Sequence, residues 1–368
     1  MQTVSKIKIG SSGAVANLQD TVSNYTAFEV FAHDYDIPVG ECAELGGYVN
    51  VAISASMTHN MCIRTKCVDS NNCDVVVDWG DGTIVSVKNK QYNTDASNAV
   101  YNKESDIAKG KMNYGFSHTY KSSGKYVVKI YGKDYYNIMN ELSLESGETL
   151  KGSLMCRVFT SELPLAPHVL NLTKFCANSP RLLYVNAETI KRNGISNIFN
   201  LFAECRNLIE AVNFEYYFTQ ASCGGAFINC VSLKKTDLQL PVRSFDRTSA
   251  SQIYYNCKSL EVDIDKLIPD TSMLCIKSFS MNYAFYNTQK LTGTVPADRL
   301  WGNKAINWGT TVGCFKDSSE KIRSQVPTSW SGTADDSIIE SSPSEKIAQL
   351  QQQVQELIQR IETLEQNK

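Results

Sequence analysis

The chain is poor in the groups that most catalytic and metal-binding classes need. Its four histidines (His33, His59, His118, His168) are scattered, so no pair stands at ligand spacing. It has almost no excess charge: 36 Lys+Arg against 38 Asp+Glu leave a formal net charge of -2. That argues against a nucleic-acid binder working through massed cations. It has no run of ~18 apolar residues, so no membrane insertion is expected. The start, Met1-Gln-Thr-Val-Ser-Lys-Ile-Lys-Ile-Gly-Ser-Ser, has no apolar core behind a basic stretch, and no secretory signal is expected. Gly10-Ser-Ser-Gly lacks the following Lys of a phosphate loop, and there is no GxSxG elbow or HExxH. Cys-His dyads can be drawn from any of twelve Cys and four His and carry no weight. Asp335-Asp336 lies in a linker and reads as a solvated charge pair. The expectation is a non-enzyme with no catalytic residue, cofactor or metal.

What is present is a globular mix, 42% hydrophobic and 20% charged over 368 residues, enough for two or three domains. Cysteine is abundant, with twelve residues. Without an export signal these are expected to be reduced and mostly buried. Cys62, Cys67 and Cys73 cluster, but as CxxxxC and CxxxxxC rather than the CxxC of a zinc knuckle.

Four segments differ in texture. Residues 1–45 mix small, polar and short apolar runs with no self-evident fold, and are expected to anchor the chain. Residues 46–145 read as strands: Tyr48-Val-Asn-Val-Ala-Ile-Ser alternates with period two, and Gly/Asp/Asn clusters separate the runs. One constellation is specific. Val75-Val-Val-Asp-Trp-Gly-Asp-Gly-Thr-Ile turns a strand around Asp78-Trp79-Gly80-Asp81-Gly82. Phe116-Ser-His-Thr-Tyr then leads through a Gly124 turn to Lys125-Tyr-Val-Val-Lys-Ile. This pair of motifs resembles the polycystic-kidney-disease-type (PKD) domain, which implies an immunoglobulin-like β-sandwich of about 100 residues. The resemblance gives the aspartate turn and the His-Thr-Tyr segment structural roles. For Asp78 and Asp81, turn capping is favoured over a calcium site.

Residues 146–332 contain a repeat. Cys176-Ala-Asn-Ser-Pro-Arg-Leu182 matches Phe202-Ala-Glu-Cys-Arg-Asn-Leu208 and Phe227-Ile-Asn-Cys-Val-Ser-Leu233. It matches further with Tyr254-Tyr-Asn-Cys-Lys-Ser-Leu260, Phe285-Tyr-Asn-Thr-Gln-Lys-Leu291 and a degenerate Phe315 to Ile322. The closing Leu/Ile positions are 26, 25, 27, 31 and 31 residues apart, a period that predicts a solenoid. The expected repeat core is Phe202, Leu208, Phe227, Leu233, Tyr254, Leu260, Phe285 and Leu291. Asn178, Asn229, Asn256 and Asn287, with Glu204 as the exception, form a predicted ladder. The next position is always small (Ser179, Cys205, Cys230, Cys257, Thr288 and Ser319), which gives three cysteines a packing role. The pattern looks like the irregular leucine-rich repeats of the BspA type, and that resemblance implies adhesion or recognition without enzymatic activity. Trp301, Trp308 and Trp330 are expected to cap the array, in preference to forming a sugar-stacking platform.

In residues 333–368 a linker leads to Ser342-Pro-Ser-Glu345, a capping box with Pro at the first helical position. Ile347, Leu350, Val354, Leu357, Ile361 and Leu364 then step by 3, 4, 3, 4 and 3 residues, an a/d seam. The expectation is an oligomerising coiled coil, with Ile358 beside the seam favouring a homotrimer over a dimer.

The expected fold class is therefore mixed and multi-domain: an Ig-like β-sandwich, a leucine-rich-repeat solenoid and a C-terminal α-helical coiled coil. The whole looks like a bacteriophage head or tail fibre, made in the host cytoplasm and carried on the virion surface. Its expected partners are sister copies, capsid or tail proteins bound through the N-terminus, and a host-surface glycan or protein. The alternative is a bacterial cell-surface adhesin.

Overall fold

The computed structural model describes residues 25–32, 60–67, 76–86, 100–102, 112–122, 124–131, 142–143, much of 155–336, and seven positions between 351 and 361. Two antiparallel sheets come first. The strands are β1 (Thr26–Ala32), β2 (Asn60–Cys67), β3 (Val76–Asp78), β4 (Ile84–Ser86), β5 (Val100–Asn102), β6 (Met112–Thr119), β7 (Gly124–Tyr131), β8 (Leu142–Ser143) and β9 (Met155–Arg157). One sheet has the order β4-β3-β7-β1-β9 and the other β5-β6-β2-β8.

The five-stranded sheet is centred on β7 and β1, which pair from Thr26↔Ile130 to Ala32↔Gly124. Phe28 and Val30 of β1 alternate inward with Val128 and Ile130 of β7, and all four are buried. β1 thus comes from the segment expected to serve as an anchor, and β9 from the segment expected to hold only repeats. The sheet draws on three of the four expected segments. Backbone and side-chain bonds strengthen this joint. Ala27 N–H donates to Pro164 C=O at 2.8 Å, Ala166 N–H to Thr26 Oγ1 at 3.0 Å, and the Arg181 guanidinium to Phe31 C=O. Phe28 meets Phe175 edge-on, and one hydrophobic core continues from Phe28 to Trp330.

Beyond β9 the chain is built mainly of turns. β10 (Tyr184–Asn186), β11 (Glu210–Val212) and β12 (Lys235–Thr236) form one parallel sheet. β13 (Thr248–Ser249), β14 (Phe279–Ser280) and β15 (Trp308–Thr310) form another. Two four-residue helices, α1 (Ile264–Leu267) and α2 (Glu320–Arg323), complete it.

Between the strands, twelve-residue turns starting at Asn171, Asn197, Ser222, Ser249, Ser280 and Thr310 lie one on the next. Asn178 N–H donates to Ala203 C=O, Phe202 N–H to Ala226 C=O, Asn229 N–H to Tyr255 C=O and Asn256 N–H to Tyr286 C=O, each at 2.8 Å. Every turn has two left-handed residues, four apart. The first is Lys174, Asn200, Gly225, Gln252, Tyr283 or Gly313, and the second Asn178, Glu204, Asn229, Asn256, Asn287 or Asp317. Asn tolerates this conformation better than most residues, which accounts for its recurrence at the second corner.

The expected fold class is corrected on each count. The expected sandwich is replaced by two antiparallel sheets, one of which includes β1 and β9 from outside residues 46–145. The repeat region has no regular leucine-rich-repeat solenoid: its strands are two or three residues long, fall into two unconnected sheets and are joined by turns. No long coiled-coil helix exists among the described residues. The described positions 351, 354–355 and 358–361 are helical, with Val354, Ile358 and Ile361 53%, 48% and 55% exposed. These three apolar side chains are not buried against the sheet or the turns, so packing within the chain does not support this segment. The described portion is mostly sheet and coil with a small helical content.

Candidate functional site

The aspartate turn and the His-Thr-Tyr segment meet. Asp78 Oδ1 accepts Gly80 N–H and Asp81 Oδ1 accepts Thr83 N–H, each at 2.9 Å, so both carboxylates cap the turn they sit in. Asp81 Oδ2 lies 2.7 Å from His118 Nε2. Partial burial disfavours the charged Asp81, but the bonds from Thr83 and His118 outweigh it and hold its carboxyl below the usual aspartate value. His118 stacks on the buried Trp79 at 5.0 Å. Tyr120 donates from its hydroxyl to Trp79 C=O at 3.0 Å and stacks on Tyr126 at 4.4 Å. Burial raises the Tyr120 phenol well above its ordinary value, so it stays a neutral donor. The buried Trp79 Nε1 is the polar atom of this cluster left without a hydrogen-bond partner. Among the described residues no group of three His, Cys, Asp or Glu is placed to hold a metal.

The expected core residues of the repeats stand in a column. Phe202, Phe227, Tyr254, Phe285 and Phe315 stack ring on ring at 5.2, 5.7, 5.5 and 5.1 Å with interplanar angles of 23° or less. Leu208, Leu233, Leu260 and Leu291 are buried beside them. The Tyr254 hydroxyl finds a partner in Leu238 C=O.

The Asn ladder is made side chain to side chain. Asn287 Nδ2 donates to Asn256 Oδ1 at 2.7 Å, and Asn256 Nδ2 to Asn229 Oδ1 at 3.0 Å. Asn229 Nδ2 ends the run on the Glu204 carboxylate, which Arg206 also holds. Glu204 is therefore a terminus of the ladder: a carboxylate accepts a bond and has none to pass on.

The cysteines of the repeats have a further role that spacing alone does not show. Cys205, Cys230 and Cys257 each direct the thiol to a carbonyl of the preceding turn, at Cys176, Phe202 and Phe227, with distances of 3.0, 3.0 and 3.1 Å. Burial pushes the Cys205 thiol up to about 12 and raises Cys230 and Cys257 further, so none is a nucleophile at neutral pH. Thr288 takes the same place, as does Ser318 in place of the expected Ser319, and both bond within their own turn, to Phe285 and Phe315, while Ser319 donates to Leu291 C=O.

Trp301 and Trp330 are buried, and Trp330 meets Trp301 and Trp308 at 5.6 and 5.2 Å. They close the last turn, where Phe315 N–H donates to Trp330 C=O. Asp336 is not a merely solvated charge. It accepts from Ser329 N–H at 3.1 Å and Thr328 Oγ1 at 2.9 Å, and these bonds lower its pKa. Of the expected oligomerisation residues, Val354 and Ile361 are helical and exposed; Ile347, Leu350, Leu357 and Leu364 lie outside the described residues.

The outer surface of the turns carries what the repeat pattern did not flag. Tyr255 and Tyr286 stack at 4.7 Å in successive turns, with Tyr283 set nearly perpendicular to both. A hydrogen bond to Asp317 raises the Tyr286 phenol. Phe199, Tyr283 and Val312 are exposed on one corner. The signal for them was the residue type at the two outward corners, a position that becomes visible only once the left-handed residues are located. No family model, no curated protein and no solved structure matches the chain.

Proposed function

We propose that this chain is a structural attachment protein without enzymatic activity, a virion fibre component that displays its stacked turns to a host surface. The observation that carries the reading is the continuous core from Phe28 to Trp330, which fixes the sheet and the turns in one body while aromatic and amide side chains line the turns' outer corners. Such a body can hold a receptor-binding surface away from its mounting point. Capsid or tail proteins and a host-surface glycan or protein are its partners in this proposal.

The test is immunogold electron microscopy with antibody to the full chain, combined with competition of purified protein against particle adsorption. Gold on particles and blocked adsorption support the reading. Gold on cell envelopes and none on particles overturns it in favour of a cell-surface adhesin.

A further inference from the structure

We infer that the first left-handed corner of the stacked turns is a binding strip for a linear, neutral polysaccharide. This rests on the attachment reading and names the ligand class for it.

The corner is straight. Asn200 N–H donates to Gly224 C=O, Gly225 N–H to Ser251 C=O, Gln252 N–H to Asn282 C=O and Tyr283 N–H to Val312 C=O, so equivalent residues lie above one another. Two aromatic rings are fixed along it. A Cβ on Gly224 would come within 3.1 Å of the Phe199 ring, and one on Gly313 would overlap the Tyr283 ring. Each ring therefore rests on a glycine of the next turn. Phe199 is 41% and Tyr283 36% exposed, so the side away from the glycine is open. Three hydrogen-bonded steps separate the two turns, about 14 Å at the usual spacing between neighbouring strands.

Between the rings the strip is polar and uncharged. Gln252 makes no side-chain hydrogen bond among the described residues, and Ser251 Oγ meets Ser280 Oγ of the Tyr283 turn at 2.7 Å, a hydroxyl contact that continues past the second ring to Thr310 Oγ1 at 2.9 Å. A ring face attracts the C–H groups of a sugar, while amides and hydroxyls exchange hydrogen bonds with its hydroxyls. Phe199 and Tyr283 are held apart by polar groups and so do not merge with one another into the long continuous apolar patch that a lipid surface uses, while Tyr255, Tyr286 and Val312 add local apolar surface beside Tyr283. No carboxylate or cation lies between Phe199 and Tyr283 on the corner, which selects against charged glycans.

The test is affinity electrophoresis of the full chain in gels containing dextran, laminarin, arabinoxylan, galactomannan or hydroxyethylcellulose, with alginate as the charged comparison. At least one neutral polymer is expected to retard it and alginate is not. Phe199→Ala and Tyr283→Ala should each weaken retardation about tenfold, a loss of one stacking contact, and the double variant should abolish it. Phe199→Tyr and Tyr283→Phe keep the rings and should stay within about threefold. Tyr184→Ala, on the β10 surface, should bind as the parent does. No retardation by any neutral polymer, or equal retardation of the double variant, overturns the strip. Adsorption competition separates the two proposals: a double variant that still competes removes the strip alone, and a parent chain that never competes removes the attachment reading itself.

Discussion

The sheet around Trp79 and the stacked turns reach order by different routes. In the sheet, strands far apart in the chain pair antiparallel, and each stabilising contact occurs once: His118 on Trp79, Tyr120 on the Trp79 carbonyl, Asp81 on His118. In the turns, the same few contacts recur between residues one turn apart, through rings, amides and thiols. A singular contact has no substitute. A repeated one has neighbours, and its value depends on whether it stands inside the column or at its end.

The largest expected effect tests that dependence. Phe227 stacks on Phe202 and Tyr254, whereas Phe315 stacks only on Phe285. Phe227→Ala should lose about 3–5 kcal/mol in urea unfolding, and Phe315→Ala about 1 kcal/mol less than that. Equal losses would mean that position in the column does not matter. In the sheet, Gly80 has φ +81°, and a Cβ there would lie 2.7 Å from Val127 C=O and 2.9 Å from Val127 N. Gly80→Ala should cost about 2–4 kcal/mol, because the obstacle is backbone and cannot rotate away. Since one core joins the two regions, each variant should still unfold in one transition by fluorescence and circular dichroism. Two separated transitions would show that the shared core does not couple them.

The two regions were also legible to different degrees. The Asp78-Trp-Gly-Asp-Gly and His118-Thr-Tyr motifs pointed to one another because their residue types are rare and specific. The columns of Phe202, Phe227, Tyr254 and Phe285 followed from period alone. β1 was missed because Thr26, Ala27 and Phe28 are all buried, which breaks the two-residue alternation that marks a half-buried strand. The repeat period also overstated regularity. It records that equivalent residues recur, which stacked turns satisfy without the strand-and-helix unit of a leucine-rich repeat. The heptad spacing of Val354 and Ile361 describes an apolar stripe, and both side chains are exposed rather than packed on the turns. Corner residues such as Phe199 and Tyr283 were unreadable because nothing in the sequence says which backbone positions are left-handed when Lys174, Gln252 and Tyr283 share them with glycine.

A moderate effect separates the two roles of the Asn ladder. Asn256 has φ +62°, donates to Asn229 and accepts from Asn287. Asn256→Gly keeps the backbone conformation and loses both bonds, for about 1 kcal/mol. Asn256→Ala loses the bonds and adds left-handed strain, for about 2 kcal/mol or more. If the two variants lose the same, the ladder rather than the corner explains the asparagines; if Gly costs nothing, the corner explains them.

The smallest effect belongs to the sheet and is read on acidification. The Asp81 carboxyl is held below its ordinary value in the folded protein, so the folded state binds its proton less readily than the unfolded chain. Its contribution is complete above the unfolded aspartate value, near 4, and fades as pH falls through the lower folded value. The thermal midpoint of the parent should therefore drop on acidification below about pH 4 more steeply than that of Asp81→Asn, which has no proton to take up at this position. At pH 7 the variant should already be the less stable of the two, because it cannot offer His118 a charged acceptor. Parallel curves across the acid range would show that the Asp81–His118 contact, close as it is, contributes equally with and without the charge. The pair would then resemble the repeated contacts of the turns, where neutral amides suffice, more than a singular contact that depends on one ionised group.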